Sequence, residues 1–320
     1  MRIVFIGGTG RSGTTVLAKI LSSHPNMMAF DFETRFLVDP DGLLSLFHTW
    51  NNNWSPYTAS KALVRFHRMA RELSSPQNLK HRILEKLFLK LGSSYQRYRH
   101  VPFQSVIDSD QFMAKTDEFI NQLTEGSYTG IWYGTESFSI NPKVYVSKPK
   151  SRDDLLRIMR SYVDSLFSPV LKKENKEIWI DHTPFNMLHA KELTLIFPEA
   201  RFIHMRRDIR DVIASYKGKD WGAKDLDLLI NWMRGFYDKW DSIKSGLSEE
   251  SFKEVWLEDL VEDPEKETNE LCELIGVEPH FKDMNQDLSF SNQGRWKDDL
   301  SSSEIVKIEK DLSRFFYVSS

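Results

Sequence analysis

The sequence predicts an α/β fold in which helices cover both faces of a central parallel sheet. Short apolar segments rich in β-branched residues alternate with longer segments whose apolar residues recur at helical spacing, which is the pattern of βαβ units. The first unit has a strand over 3–6, a glycine-rich turn over 7–13 and a helix over 14–23. Pro25 follows and cannot continue that helix. The first strand is apolar throughout, which is typical of parallel strands buried on both faces.

The same alternation returns after Asp153. Five helices are predicted there, over 155–171, 191–196, 210–216, 230–243 and 264–275. Three strands are predicted between them, over 178–180, 201–204 and 252–256. The predicted ends of two helices are supported by the residues that follow them. Pro198 comes two residues after the helix over 191–196, and proline interrupts helical hydrogen bonding. Gly276 directly follows the helix over 264–275, and glycine readily adopts the left-handed conformation of a helix C-terminus.

Residues 39–150 interrupt this pattern and are predicted to form a largely helical insertion within a single domain of residues 1–320. Loops are indicated where Asn, Ser and Pro cluster, at 51–53, 74–76 and 147–151. Apolar residues at helical spacing over 79–91 predict an amphipathic helix. Because segments over a rigid α/β scaffold often carry specificity, we expect the insertion to contribute to substrate binding.

Charge and composition exclude some functional classes. The 320 residues carry a net charge of −3, which argues against a nucleic-acid-binding protein. Residues 61–100 hold ten basic and two acidic residues, a local charge of +8 that leaves −11 for the rest of the chain. We favour a solvated basic face here over peripheral contact with an acidic membrane surface.

The single cysteine, Cys272, excludes an intrachain disulfide and suits a reducing compartment. It lies in a predicted helix, where a buried and inert thiol is expected. No run of about 18 apolar residues is present, and the N-terminal segment is broken by glycine too early for a signal peptide. We therefore expect a cytoplasmic protein without a membrane span, and its oligomeric state stays open.

Residues Gly8–Thr15 have the outline of a phosphate-binding loop, so the predicted three-layer fold is P-loop-like. Its glycines let backbone N–H groups turn toward an anion, and the following helix adds its positive N-terminal end. A nucleoside-triphosphate loop carries Lys before its last hydroxyl residue, whereas this loop has Thr14 there and offers Arg11 as its cation. We expect an anion with less charge than a triphosphate, bound without a metal.

A second candidate for anion binding follows the strand over 201–204. Arg207 comes shortly after that strand, and Ser215 lies eight residues later, two helical turns along. The carboxyl ends of parallel strands line the ligand crevice in such sheets, so Arg207 and Ser215 can reach one anion together. Taken alone, charged residues at a helix start also serve as caps and solvated charges.

Together these motifs resemble those of the PAPS-dependent sulfotransferases (PAPS is 3′-phosphoadenosine-5′-phosphosulfate). The R-S-G-T-T motif is intact at Arg11–Thr15, Arg207 and Ser215 match an Arg/Ser pair, and Gly294–Lys297 resembles a late G-x-W-[K/R] segment. Further similarity to the bacterial small-molecule and tyrosylprotein branches lies at 179–186, 197–203 and 256–260. The resemblance covers about 1–37 and 176–315.

The resemblance implies an enzyme that transfers a sulfuryl group from PAPS and releases adenosine 3′,5′-bisphosphate. It implies that the first motif holds the 5′-phosphosulfate and that the other two approach the 3′-phosphate and adenine. The residues implied for PAPS binding are Arg11, Ser12, Gly13, Thr14, Thr15, Arg207, Ser215, Gly294, Arg295, Trp296 and Lys297. No metal is expected to take part.

Three catalytic residues are predicted. Arg11 is expected to support the leaving phosphate oxygen, because group transfer through a loose transition state depends on positioning and charge neutralisation. Glu33 matches the carboxylate base of the tyrosylprotein branch, and Arg35, next but one, is a candidate contact for an anionic acceptor group. His182 stands where many relatives have Lys, and a neutral His suits base catalysis. Whether Glu33 or His182 is the base stays open.

The acceptor pocket is predicted to be lined by some of four aromatic residues of the insertion, Phe112, Trp132, Tyr133 and Phe138. A small metabolite with a hydroxyl or amine is the first expectation, a saccharide or glycolipid the second and a peptide tyrosine the third. An ATP-dependent kinase with Asp181 as a metal ligand and a nucleotide-binding protein without turnover are the rival classes. Thr14 in place of Lys argues against the kinase.

Overall fold

The computed structural model describes residues 1–75, 83, 84, 87, 98, 101–131, 142–280 and 292–317. Two compact units divide the chain. The sheet unit contains residues 2–29 and 175–320, and the insertion unit contains Met1 and residues 30–174. Each unit has a β-sheet of its own.

Strands and helices are numbered along the described part of the chain. The strands are β1 (Arg2–Gly8), β2 (Met27–Ala29), β3 (Thr124–Thr129), β4 (Lys143–Ser147), β5 (Ile178–Asp181), β6 (Arg201–Arg206) and β7 (Phe252–Trp256). The helices are α1 (Thr14–Ser22), α2 (Leu43–Asn52), α3 (Pro56–Ser74), α4 (Ser109–Leu123), α5 (Arg152–Lys173), α6 (Ala190–Ile196), α7 (Ile209–Lys217), α8 (Leu226–Lys244), α9 (Leu257–Glu262), α10 (Pro264–Ile275), α11 (Trp296–Asp299) and α12 (Ser302–Leu312). Within these ranges, none of the helices has the length and apolar character needed to cross a membrane.

The sheet unit is built on five parallel strands in the order β2-β5-β1-β6-β7. Alternate residues of β1 face opposite sides of this sheet. Val4 and Ile6 belong to an apolar cluster that includes Leu17 of α1. On the other face, the ring of Phe5 stacks on that of Phe202 in β6, with centroids 5.4 Å apart. The predicted α/β fold, a central parallel sheet flanked by helices, is confirmed.

Most predicted elements of this unit match the structure. Helix α1 begins at Thr14, and α10 ends at Ile275, after which Gly276 has a φ of +74°. Strand β6 extends two residues beyond its predicted end, to Arg206, so Arg207 follows the strand directly. The sequence does not indicate β2, a three-residue strand that forms by pairing with β5.

The insertion unit contains a sheet that the sequence does not indicate. Strands β3 and β4 form an antiparallel pair that accompanies helices α2 to α5. Helix α2 continues through Asn52, so the loop predicted at 51–53 is wrong for its first two residues. The helix predicted over 79–91 falls largely outside the described residues. The unit holds residues 39–150 together with α5 and residues 30–38.

The core of the insertion unit is rich in aromatic rings. The ring of Phe103 has its centroid 5.9 Å from that of Phe36, 5.1 Å from that of Phe112 and 6.4 Å from that of Phe167. Phe112 is 1% exposed. The ring of Phe112 is therefore packed against core rings, and its predicted contact with an acceptor stays a prediction.

A buried polar cluster joins β6, β7 and α8. His204 has no exposed surface, and its Nδ1 lies 3.1 Å from Glu254 Oε1. Trp240 Nε1 donates to the same oxygen at 2.8 Å, and Lys244 Nζ lies 3.3 Å from Glu254 Oε2. Burial lowers the pKa of His204. Burial alone would raise the pKa of Glu254, but its hydrogen bond with His204 and the charge of Arg206 hold that pKa well below its usual range.

Acid is expected to destabilise the protein through this cluster. The folded-state pKa values of His204 and Glu254 lie below those of the unfolded chain, so the unfolded state binds more protons and stability falls as pH decreases. The loss should begin below about pH 6.5, where an unfolded histidine titrates, and continue below about pH 4.3 for the glutamate. Urea unfolding at several pH values measures this slope.

The variant Glu254→Gln tests the assignment. It should lower the free energy of unfolding at neutral pH by about 3 kcal/mol and reduce the pH dependence, while Glu249→Gln at an exposed position serves as the control. Equal pH slopes in Glu254→Gln and the unchanged protein would contradict a role for this carboxylate.

Candidate functional site

The residues predicted to bind an anion lie at the carboxyl edge of the parallel sheet. Strand β1 ends at Gly8, β5 at Asp181 and β6 at Arg206, and all three belong to the sheet unit. Because these neighbouring strands run in the same direction, the segments that follow them emerge at one edge of the sheet.

The loop after β1 has the backbone of an anion-binding turn. Gly10, Arg11 and Gly13 have φ values of +73°, +58° and +100°. Helix α1 begins at the next residue, Thr14. Left-handed residues within a turn direct successive N–H groups to one side, and the helix N-terminus adds partial positive charge. The loop therefore combines left-handed residues with the start of a helix, and anion binding by it stays a prediction.

The side chains of this loop alternate between the surface and the interior. Arg11 and Thr15 are exposed, whereas Ser12 and Thr14 are buried. Ser12 has no exposed surface, and among the described residues its Oγ has no hydrogen-bond partner. The loop thus combines an exposed guanidinium with a hydroxyl that still has hydrogen-bonding capacity.

Helix α7 is joined to this loop by two hydrogen bonds. Arg11 Nε donates to Ser215 Oγ at 3.1 Å, and the Tyr216 hydroxyl donates to the carbonyl oxygen of Thr9 at 2.8 Å. Ser215 is 1% exposed. The structure therefore brings together residues from two motifs that lie about 200 positions apart in the sequence.

The buried guanidinium of Arg207 connects three segments. Its Nη1 donates to the carbonyl oxygen of Arg11 at 3.2 Å, and its Nη2 donates to that of Asn292 at 2.5 Å. Nη2 also lies 3.3 Å from Asp211 Oδ2 in α7. Arg207 Nε is buried and, in the part of the chain that the structure describes, has no partner.

Asp211 connects α7 to the late segment around Gly294. Its Oδ2 accepts a hydrogen bond from the backbone N–H of Gly294 at 2.8 Å, and its Oδ1 accepts one from that of Trp296 at 3.0 Å. Asp211 is 1% exposed. Sequence reasoning does not single out Asp211, although a carboxylate four residues after an arginine indicates an ion pair where the chain enters the predicted helix.

The segment Gly294–Lys297 turns sharply and starts α11. Gly294 has a φ of +73°. The guanidinium carbon of Arg210 lies 4.0 Å from the centroid of the Trp296 ring. Arg295 pairs with Asp299 at 2.5 Å, and Lys297 is exposed. The backbone of this segment is therefore tied to α7, while its Lys side chain remains accessible.

Asp181 ends β5, and His182 follows it. These residues are 1% and 3% exposed. Asp181 Oδ1 accepts hydrogen bonds from the backbone N–H and the hydroxyl of Thr183, at 3.1 and 2.8 Å. Asp181 Oδ2 and Asn186 Oδ1 are buried and have no hydrogen-bond partner within the described ranges. His182 thus lies at the same sheet edge as the loop that follows β1.

Glu33 and Arg35 belong to the insertion unit, where they form an ion pair. Arg35 Nη1 also lies 3.5 Å from Asp39 Oδ2. Burial opposes the charge on Arg35, but the carboxylates of Glu33 and Asp39 outweigh it and raise the pKa of Arg35. An anionic acceptor group at Arg35 would therefore have to compete with two carboxylates of the protein.

Three of the four predicted acceptor contacts, Trp132, Tyr133 and Phe138, lie outside the described residues. The fourth, Phe112, is in the core of the insertion unit.

Comparisons with known proteins give one family. A model described as the sulfotransferase family matches residues 4–283. Among solved structures, the sulfotransferase domain from the curacin biosynthetic pathway matches at 15% identity, with 99% of this chain and 98% of that chain covered and a TM-score of 0.49. The sulfotransferase domain from the Synechococcus PCC 7002 olefin synthase matches at 16% identity, covering 100% and 90%, with a TM-score of 0.44. No curated protein matches the chain.

Proposed function

The chain belongs to the sulfotransferase family, and on that basis we propose that it transfers a sulfuryl group from PAPS to a hydroxyl or amine of a small-molecule acceptor. The observation that carries the proposal is the direct linkage of three motifs. Arg11 of the loop bonds to Ser215, Arg207 bonds to the loop carbonyl of Arg11, and Asp211 bonds to the backbone of Gly294. One ligand with anionic groups at both ends suits such an arrangement.

The residues of the sheet unit fit PAPS. Ser12 Oγ and Arg207 Nε are buried hydrogen-bond donors that have no partner among the described residues. Buried polar groups are normally hydrogen-bonded, so atoms of this kind favour a ligand with oxygen acceptors. We assign Arg11–Thr15 to the 5′-phosphosulfate, and Arg207, Ser215 and Gly294–Lys297 to the 3′-phosphate and adenine.

The chemistry requires one bond to form and one to break. PAPS supplies an activated sulfuryl group when it is bound. The acceptor loses its proton to a base as its oxygen or nitrogen bonds to sulfur, and the bond from sulfur to the phosphate oxygen breaks. Arg11, the loop N–H groups and the N-terminus of α1 offset the negative charge that develops on that oxygen.

Two residues are proposed as candidates for the base. His182 is buried at the sheet edge that carries the loop. Glu33 carries a carboxylate paired with Arg35. A base positioned at the acceptor typically contributes about 10²- to 10⁴-fold to the rate.

The remaining parts of the proposal concern the acceptor and the setting. We propose a cytoplasmic enzyme that needs no metal, with residues 39–150 as an insertion in a single domain that contributes to acceptor binding. A small metabolite is the first acceptor class to test, because the sequence motifs resemble those of bacterial small-molecule sulfotransferases. A library of phenols, alcohols and amines, with PAPS as the donor, identifies the accepted group.

Ligand-dependent thermal stability distinguishes this function from a kinase. Adenosine 3′,5′-bisphosphate at 100 times its Kd should add about 2.7 kcal/mol to the free energy of unfolding, whereas ATP with Mg²⁺ should add much less. Stabilisation by ATP with Mg²⁺ alone would contradict the sulfotransferase assignment. Turnover of PAPS with any acceptor then separates an enzyme from a nucleotide-binding protein.

A further inference from the structure

We infer that Asp211 is a positioning residue that fixes the late segment, residues 292–297, for recognition of the 3′-phosphate. This inference rests on the proposed function and extends it to a residue between Arg207 and Ser215 to which the sequence analysis assigns no role. Asp211 acts through the backbone of the late segment and through Arg207, and no contact between Asp211 and the ligand is needed.

Both oxygens of Asp211 are committed to other segments. Oδ2 accepts from the N–H of Gly294 at 2.8 Å and lies 3.3 Å from Arg207 Nη2. Oδ1 accepts from the N–H of Trp296 at 3.0 Å. Arg207 Nη2 also donates to the carbonyl oxygen of Asn292, at the start of the late segment, at 2.5 Å. One carboxylate and one guanidinium therefore hold three backbone groups of the late segment.

Helix capping does not explain this carboxylate. The N-terminus of α7 is capped by Asp208, whose Oδ1 accepts from the N–H of Arg210 at 2.9 Å. Asp211 stands in the first turn of the same helix, but its hydrogen bonds reach residues 83 and 85 positions away. Asp211 thus binds the backbone of the late segment to α7.

The late segment requires restraint because two of its residues have left-handed backbone conformations. Asn292 and Gly294 have φ values of +51° and +73°. Left-handed residues persist where the surrounding structure holds them. Two hydrogen bonds to a buried carboxylate supply that restraint, since hydrogen bonds to charged groups are roughly twice as strong as neutral ones.

Arg207 is restrained by the same contacts. Its Nη1 and Nη2 are engaged with carbonyl oxygens and Asp211, which leaves Nε as the donor without a partner in the described part of the chain. Loss of the Asp211 carboxylate would therefore disturb the orientation of Arg207 and of the late segment together, and both are proposed to meet the 3′-phosphate.

The test compares Asp211→Asn with Asp298→Asn, which makes the same chemical change at an exposed position of α11, directly after the late segment. Calorimetry measures the affinity of each variant for adenosine 3′,5′-bisphosphate and for adenosine 5′-monophosphate. Asp211→Asn should bind the bisphosphate about 10- to 100-fold more weakly and the monophosphate with little change. Asp298→Asn should match the unchanged protein for both ligands.

Amide hydrogen exchange without ligand gives a second readout. Asp211→Asn should speed exchange at Gly294, at Trp296 or at both, because the amide keeps one accepting oxygen while its NH₂ group only donates and cannot accept from the other N–H group. Equal losses for both ligands, or unchanged exchange at these two amides, would overturn the inference. Absence of bisphosphate binding by the unchanged protein would instead refute the proposed function.

A second variant covers the case in which Asp211→Asn does not fold. Gly294→Ala places a methyl group in open space, with no atom within 4 Å, but at a φ of +73° that alanine disfavours. It should show the same selective loss for the bisphosphate with a small change in Tm. Wild-type affinity of Gly294→Ala for the bisphosphate would show that the conformation of the late segment does not matter.

Discussion

Replacing the base is expected to lower kcat for sulfuryl transfer by about two to four orders of magnitude while leaving PAPS affinity nearly unchanged. The reason is that the acceptor cannot bond to sulfur productively while it keeps its proton. Glu33→Gln and His182→Ala remove the two candidate groups singly. Steady-state kinetics at saturating PAPS and acceptor measure kcat for each variant.

The pattern of the two effects identifies the base. If one residue is the base and the other is not involved, only one variant loses activity. If His182 is the base and Glu33 orients it, both variants lose activity and the double variant loses little more, because residues that act as a unit are non-additive. Asp31→Asn is the matched control, since it changes an exposed carboxylate in the same loop as Glu33. Near wild-type kcat in both single variants would refute both assignments.

The parallel sheet could be predicted because its signals are local. Strands β1 and β5 are short apolar runs, and each is followed by a turn and a helix or helical turn. The insertion lacked such signals. Five of the six residues of β3 are exposed, so this strand has no apolar alternation and forms through its pairing with β4. Period-based reasoning cannot detect a strand of this kind.

Phe112 and Asp211 differ in how much of their environment the sequence indicates. Phe112 lies at helical spacing with Thr116, Phe119 and Leu123, all buried, so the pattern that predicts a core face was present in the sequence. Asp211 could be paired with Arg207 from their spacing, but its hydrogen bonds join it to a segment more than 80 residues away. Long-range hydrogen bonds between a side chain and the backbone produce no recurring pattern of residue types, so the sequence does not indicate them.

Gly8→Ala is expected to destabilise the protein by about 1–3 kcal/mol and to weaken binding of adenosine 3′,5′-bisphosphate about tenfold or more. Gly8 is the last residue of β1 and pairs with Met205 of β6. A Cβ atom there would lie 2.5 Å from the carbonyl oxygen of Met205 and closer still to Ser12 Oγ. The carbonyl belongs to a central strand, so the loop has to move instead, and Ser12 moves with it.

A glycine-to-alanine substitution in helix α8 is expected to stabilise the protein instead. Gly235 is exposed within α8, and an added Cβ would have no atom within 4 Å. Gly235→Ala should therefore raise the free energy of unfolding by about 1 kcal/mol, the difference in helix propensity between the two residues. Urea unfolding and calorimetry on both variants separate the general effect of a methyl group from its effect in the loop. If Gly8→Ala also stabilises the protein and keeps bisphosphate affinity, close packing between β6 and the loop does not shape the anion site.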